Sequence, residues 1–134
     1  YLAIPDNSAD NGVWRLQVYK YSNNAFAKVG NVIDMDVSSD RFFDLEVDKK
    51  GVPHVIYRKK TGDKSMAYVV SLNAESMRWN EAMALGTVEV ALEKVGLAFD
   101  ADGVGYALFV SSEESSEGTS YSRYHLYRYA MEQE

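Results

Sequence analysis

His54 and His125 are the only imidazoles in the 134 residues, and neither has a second histidine at metal-ligand spacing. The nearest thing to a calcium loop is Asp100-Ala101-Asp102-Gly103, in which two carboxylates two residues apart would present hard oxygens. No bidentate Glu follows it at the required distance. A carboxylate pair for acid/base work would come from Asp34-Met35-Asp36, with Asp40 nearby, if alternation put Asp34 and Asp36 on one strand face. Sugar-stacking chemistry would come from aromatic side chains, and the chain holds ten Tyr, five Phe and two Trp.

Each of these sets has a plainer reading. The turn corresponding to Asp100–Gly103 is Asp48-Lys49-Lys50-Gly51, which carries lysines where a cation site needs carboxylates, so both are read as hairpin turns. His54 stands where Tyr1 and Tyr106 stand in matching segments and is read as a variant of an aromatic position. His125 alternates with Tyr124 and Leu126 as an ordinary strand residue. Tyr19, Tyr21, Tyr127 and Tyr129 recur at matching positions, which favours packing between units over ligand contact. Trp14 has no such counterpart, and Tyr121 lies near the start of a matching strand. These two are the candidate ligand-binding residues. No catalytic residue, metal site or cofactor is assigned: Gly-rich phosphate loop, nucleophile elbow and helical metal motif are all missing from the sequence.

Composition narrows the partners. Net charge is −6, so a nucleic-acid partner is not expected, since phosphate recognition needs a basic face. The cluster Arg58-Lys59-Lys60 is read as a solvated hairpin edge. The absence of cysteine removes disulfides and thiolate chemistry. No apolar run approaches the ~18 residues of a membrane-spanning helix, so membrane insertion is not expected.

The elements that must carry these residues are strands. Phe43–Tyr57 (FDLEVDKKGVPHVIY) aligns without gaps on Val95–Phe109 (VGLAFDADGVGYALF) at an offset of 52 residues. Leu45 falls on Leu97, Asp48 on Asp100, Gly51 on Gly103, and His54–Tyr57 on Tyr106–Phe109. The segment Tyr1–Ile4 matches His54–Tyr57, and Arg15–Tyr21 lies over Met66–Leu72 and over Arg123–Tyr129. A four-strand unit is therefore expected, with first, second, third and fourth strands around Leu45, Val55, Val69 and Trp79. Units are placed at about 1–41, 42–94 and 95–134 within a single domain spanning 1–134, giving ten strands in the order second-third-fourth, full unit, first-second-third. Thr87–Gly96 fits either an alternating or a helical period and is read as a connector between units with room for an irregular strand.

Four-stranded antiparallel units in series at this period point to an all-β chain of β-propeller blades, about two and a half of them; a β-sandwich is the alternative. The pattern Leu97-x-x-Asp100-x-x-Gly103-x-x-Tyr106-Ala107-Leu108-Phe109, followed by a strand and a Trp/Phe–Gly segment, resembles the tandem blades of secreted bacterial β-propellers of the sialidase-like, six- to eight-bladed type. The Ser-x-Asp-x-Gly-x-x-Trp box of sialidases is missing around Asp100, so their activity is not carried over. The resemblance implies an extracytoplasmic bacterial protein acting as a binding or scaffold module, with a glycan or protein ligand. The alternatives are a piece of a carbohydrate-active enzyme and an oligomerisation domain. A chain that starts inside a strand with no Met is expected to be cut from a longer propeller, or to complete its ring with a second copy.

Overall fold

The computed structural model describes residues 1–6, 14–35, 42–61 and 64–129; for 60, 61, 64 and 87–91 it describes the backbone alone. The described residues are all-β and form ten strands: β1 Leu2–Asp6, β2 Arg15–Ser22, β3 Ala25–Asp34, β4 Phe43–Val47, β5 Pro53–Thr61, β6 Lys64–Asn73, β7 Arg78–Trp79, β8 Met83–Phe99, β9 Gly105–Glu114 and β10 Ser120–Tyr129. All pairings are antiparallel. A three-stranded sheet runs β1-β2-β3, and a larger sheet runs β10-β9-β8-β6-β5-β4 with β7 on β6. No helix occurs among the described residues, and neither sheet closes on itself.

The larger sheet bends at β8, so the strands make three layers. The N-terminal part of β8 pairs with β6 (Val69↔Met83, Ala67↔Leu85, Ser65↔Val90). Its C-terminal part pairs with β9 (Ala91↔Ser112 through Phe99↔Gly105), with an irregularity between Leu92 and Lys94. An extra residue of this kind bends a strand and re-aims the side chains beyond it. Thr87–Gly96, expected as a connector with an irregular strand, lies within the continuous strand β8, because β6 and β9 offer partners for its backbone groups. The fourth strand expected around Trp79 is present as β7, paired with β6, but it is only two residues long, and the place beside β6 is taken mainly by β8.

Strand alternation sorts the core into two slabs. In β2, Leu16 and Val18 are fully buried while Arg15, Gln17 and Tyr19 face the other way. In β5, Pro53 to Arg58 are buried without alternation, as a strand covered on both faces must be. Val55 and Tyr57 join Leu16, Val18, Val29, Ile33, Val70 and Leu72 in the slab between β1–β3 and the middle strands. Ile56, with Ala67 and Val69 from β6, joins Leu97, Ala107, Phe109 and Tyr129 in the slab toward β9 and β10.

The expectation that Arg58 is a solvated edge residue is overturned. β5 lies between β4 and β6, and Arg58 shares the face of Ile56, so its side chain is carried inward. The guanidinium lies 3.5 Å over the Phe42 ring, and Nη1 donates to the Leu92 carbonyl at 3.4 Å. Lys59, one residue on, is exposed.

The two matching hairpin turns have the same internal bonding. Asp48 N–H donates to Val52 O and Gly51 N–H to Asp48 O; Asp100 N–H donates to Val104 O and Gly103 N–H to Asp100 O. Asp48 Oδ1 accepts from the N–H groups of Lys50 and Val52, as Asp100 Oδ1 does from Asp102 and Val104. Gly51 and Gly103 sit at φ 82° and 86°, where a Cβ is strained, which is why glycine stands at both. The turns are neighbours in space, since Lys49 Nζ donates to the Asp102 carbonyl at 2.7 Å.

Candidate functional site

Tyr121 stands on β10 opposite Glu113 of β9. The register between β9 and β10 is set by a turn in which Gly118 N–H donates to Ser115 O and Ser115 N–H to Thr119 O. Tyr121 and Arg123, two residues apart, therefore share a face. The Tyr121 hydroxyl donates to Glu113 Oε2 at 2.8 Å, and Arg123 Nη1 lies 3.7 Å from Glu113 Oε1. Tyr121 is 46 % exposed, so its ring is open to solvent. The Glu113 carboxylate, as hydrogen-bond acceptor and as charge, raises the phenol's pKa above its ordinary value. An aromatic face, a carboxylate acceptor and a guanidinium donor thus share one surface. That is the chemistry a sugar ring needs: an apolar C–H face to stack, and hydroxyls to exchange hydrogen bonds.

Trp14 does not join this set. It is partly buried against the slab between the first sheet and the middle strands, and its carbonyl accepts from Met35 N–H at 2.9 Å. The two candidate residues therefore belong to different layers and form no common platform. Glu113 and Arg123 escaped sequence reading. The loop between β9 and β10 is longer than its counterpart, so the cross-strand register could not be counted from the sequence.

The histidines are held in place by packing and hydrogen bonds. His54 is fully buried, with Nε2 2.8 Å from Asp48 Oδ2 and Nδ1 3.0 Å from the Tyr129 hydroxyl. Burial lowers the imidazole's pKa below 6.5 despite the opposing carboxylate, so the ring is neutral at neutral pH. The ionised Asp48 can only accept, which places the ring proton on Nε2 and leaves Nδ1 to accept from Tyr129. Tyr129 is in turn hydrogen-bonded to Ser71, whose Oγ accepts from Asn80 Nδ2 at 2.9 Å. At the equivalent position of the other hairpin, the Tyr106 hydroxyl donates to Asp100 Oδ2 at 3.2 Å. His54 thus makes the bond that a tyrosine makes in the matching copy. His125 stacks on Phe109 with centroids 4.3 Å apart, and its Nε2 is 2.9 Å from the fully buried Ser111 Oγ.

Asp34 pairs with Arg15 (Nε to Oδ1 3.2 Å) across β2 and β3, while Asp36 and Asp40 lie outside the described residues. Of the recurring tyrosines, Tyr129 is buried and Tyr127 packs against the same slab, but Tyr21 is 57 % exposed. Among the described residues, no group of three or more His, Asp or Glu is gathered as metal ligands, and no helix is long and apolar enough to cross a membrane. A shallow cleft of about 220 Å³ between β3 and β6–β7 is lined by Asp34, Tyr57, Lys59, Trp79 and Asn80.

No protein-family model matches the chain, no similar curated protein is found, and no solved structure matches it.

Proposed function

We propose that this chain is a non-catalytic binding or scaffold module of propeller type, carbohydrate-directed and working outside the bacterial cytoplasm. Its three layers act as successive blades. The observation that carries the binding role is the exposed Tyr121–Glu113–Arg123 set. The ring is free to stack on a sugar, and the two charged groups beside it are free to exchange their mutual contact for sugar hydroxyls. The blade reading is supported by the shared hydrogen bonding of the Asp48 and Asp100 turns.

A glycan-array screen followed by titration calorimetry tests the binding role. Tyr121→Ala is expected to weaken binding of the selected glycan about tenfold or more, as loss of one stacking face does. Trp14→Ala serves as the comparison on another layer. A screen with no glycan bound would remove the carbohydrate assignment, and turnover of a chromogenic glycoside would overturn the non-catalytic one.

A further inference from the structure

The three layers meet by one rule. Name the face of a layer that meets the next layer its forward face, and the opposite one its backward face. The forward face of the first layer, with Leu16 and Val18, meets the backward face of the middle one, with Val55, Tyr57 and Leu72. The forward face of the middle layer, with Ala67 and Val69, meets the backward face of the last, with Ala107, Phe109 and Tyr129. These positions correspond along the repeat: Leu16 to Ala67 to Tyr124, Val18 to Val69 to Leu126, Leu2 to Val55 to Ala107, Ile4 to Tyr57 to Phe109, and Tyr21 to Leu72 to Tyr129.

The two ends break the pattern of burial and keep the pattern of residues. On the backward face of the first layer, Leu2 is 46 % exposed, Ile4 43 % and Tyr21 57 %, whereas all their counterparts are 6 % exposed or less. On the forward face of the last layer, Tyr124 is 70 % and Leu126 71 % exposed, and their counterparts are at most 1 % exposed. The uncovered faces are thus one of each kind, a forward and a backward, which are the two halves of the contact made twice inside the chain. The backward end also holds a groove of about 360 Å³, lined by Ile4, Tyr19 and Val32 together with the charged Asp6, Arg15 and Lys28.

We infer that a second copy of this chain docks end to end, its Leu2–Ile4–Tyr21 face covering the Tyr124–Leu126 face of the first. The inference rests on the blade reading but not on any ligand. The contact is heterologous, so each face binds the other and not itself. Burying two large apolar side chains on one partner supplies driving force of the kind that holds the internal slabs.

Sedimentation equilibrium and light scattering on the whole chain, up to about 1 mM, test it. The wild type is expected to exceed the monomer mass of 15.1 kDa. Leu126→Glu and Ile4→Glu each remove one face at an exposed position, and each alone is expected to be monomeric with an unchanged circular dichroism spectrum. Mixed in equal amounts, they are expected to form a one-to-one complex of twice the monomer mass, because each retains the face that the other lacks. Tyr124→Lys provides a second forward-face variant that must behave as Leu126→Glu. A wild type that stays monomeric throughout would overturn the inference, and so would an Ile4→Glu variant that still dimerises with itself. Glycan binding by a strictly monomeric chain would leave the proposed function standing while this inference fell.

Discussion

The imidazole Nδ1 of His54 lies 3.0 Å from the hydroxyl of Tyr129, joining two residues 75 positions apart in the chain. Through this bond the middle layer is tied to the last strand. Close packing surrounds the bond: Phe99 lies 4.7 Å from the imidazole by centroids, and Gly105 leaves room where a Cβ would come within 2.8 Å of both Phe99 and Tyr129. Buried donors and acceptors arranged in a chain are costly to interrupt.

Tyr129→Phe is therefore expected to destabilise the protein by about 1–3 kcal/mol, since it strips Nδ1 of His54 and the Ser71 hydroxyl of a partner without emptying the core. Tyr124→Phe, at an exposed position, is expected to stay within about 0.5 kcal/mol of the wild type. Urea unfolding of both variants followed by circular dichroism makes the comparison. Equal effects would remove the polar chain as a source of stability.

Stability is expected to fall as pH drops below neutrality. Burial sets the folded His54 pKa below 6.5, so the unfolded chain takes up this proton first, and stability is lost as pH falls from about 6.5 toward the folded value. For Asp48, burial acts to raise the pKa, but the hydrogen bonds from His54, Val52 and Lys50 outweigh it and the net shift is downward. Its contribution is lost in the same direction, below about 3.8. Urea midpoints across the acid range should therefore decline in two stages, and His54→Phe should flatten the upper stage. An upper stage unchanged in that variant would assign the titration elsewhere.

Gly30→Ala is expected to cost about 1–3 kcal/mol. Gly30 has φ +70°, and an added Cβ would lie 2.6 Å from Nε1 of Trp79, whose N–H donates to the Asn31 carbonyl at 2.9 Å. The substitution strains the backbone and displaces the indole that closes the slab between β3 and β7. A red-shifted tryptophan emission together with a lowered melting temperature would register both effects. An unshifted emission would show that the indole had not moved.

Most strands and the matching turns are legible in the sequence, because their signals are local or repeat along the chain. Alternation marks β2, the gapless repeat marks β5 and β9, and the Asp-x-x-Gly spacing fixes turns whose hydrogen bonds close within five residues. The sequence also marked Tyr121 as a candidate. What it left open depends on contacts between distant segments. Thr87–Gly96 has a period that fits helix and strand alike, and it becomes strand because β6 and β9 supply partners on its two sides. Arg58 belongs to a run of basic residues that looks solvated, yet pairing on both sides of β5 turns it onto the Phe42 ring. The same holds for the site. Glu113 and Arg123 join Tyr121 only through the β9–β10 register, which an irregular loop conceals from the sequence. Which faces are covered is likewise set by contacts between layers. Leu16 and Leu126 are both apolar residues on alternating strands, but one is wholly buried and the other 71 % exposed. Burial depends on a neighbouring layer, and alternation within one strand carries no information about whether that layer is present.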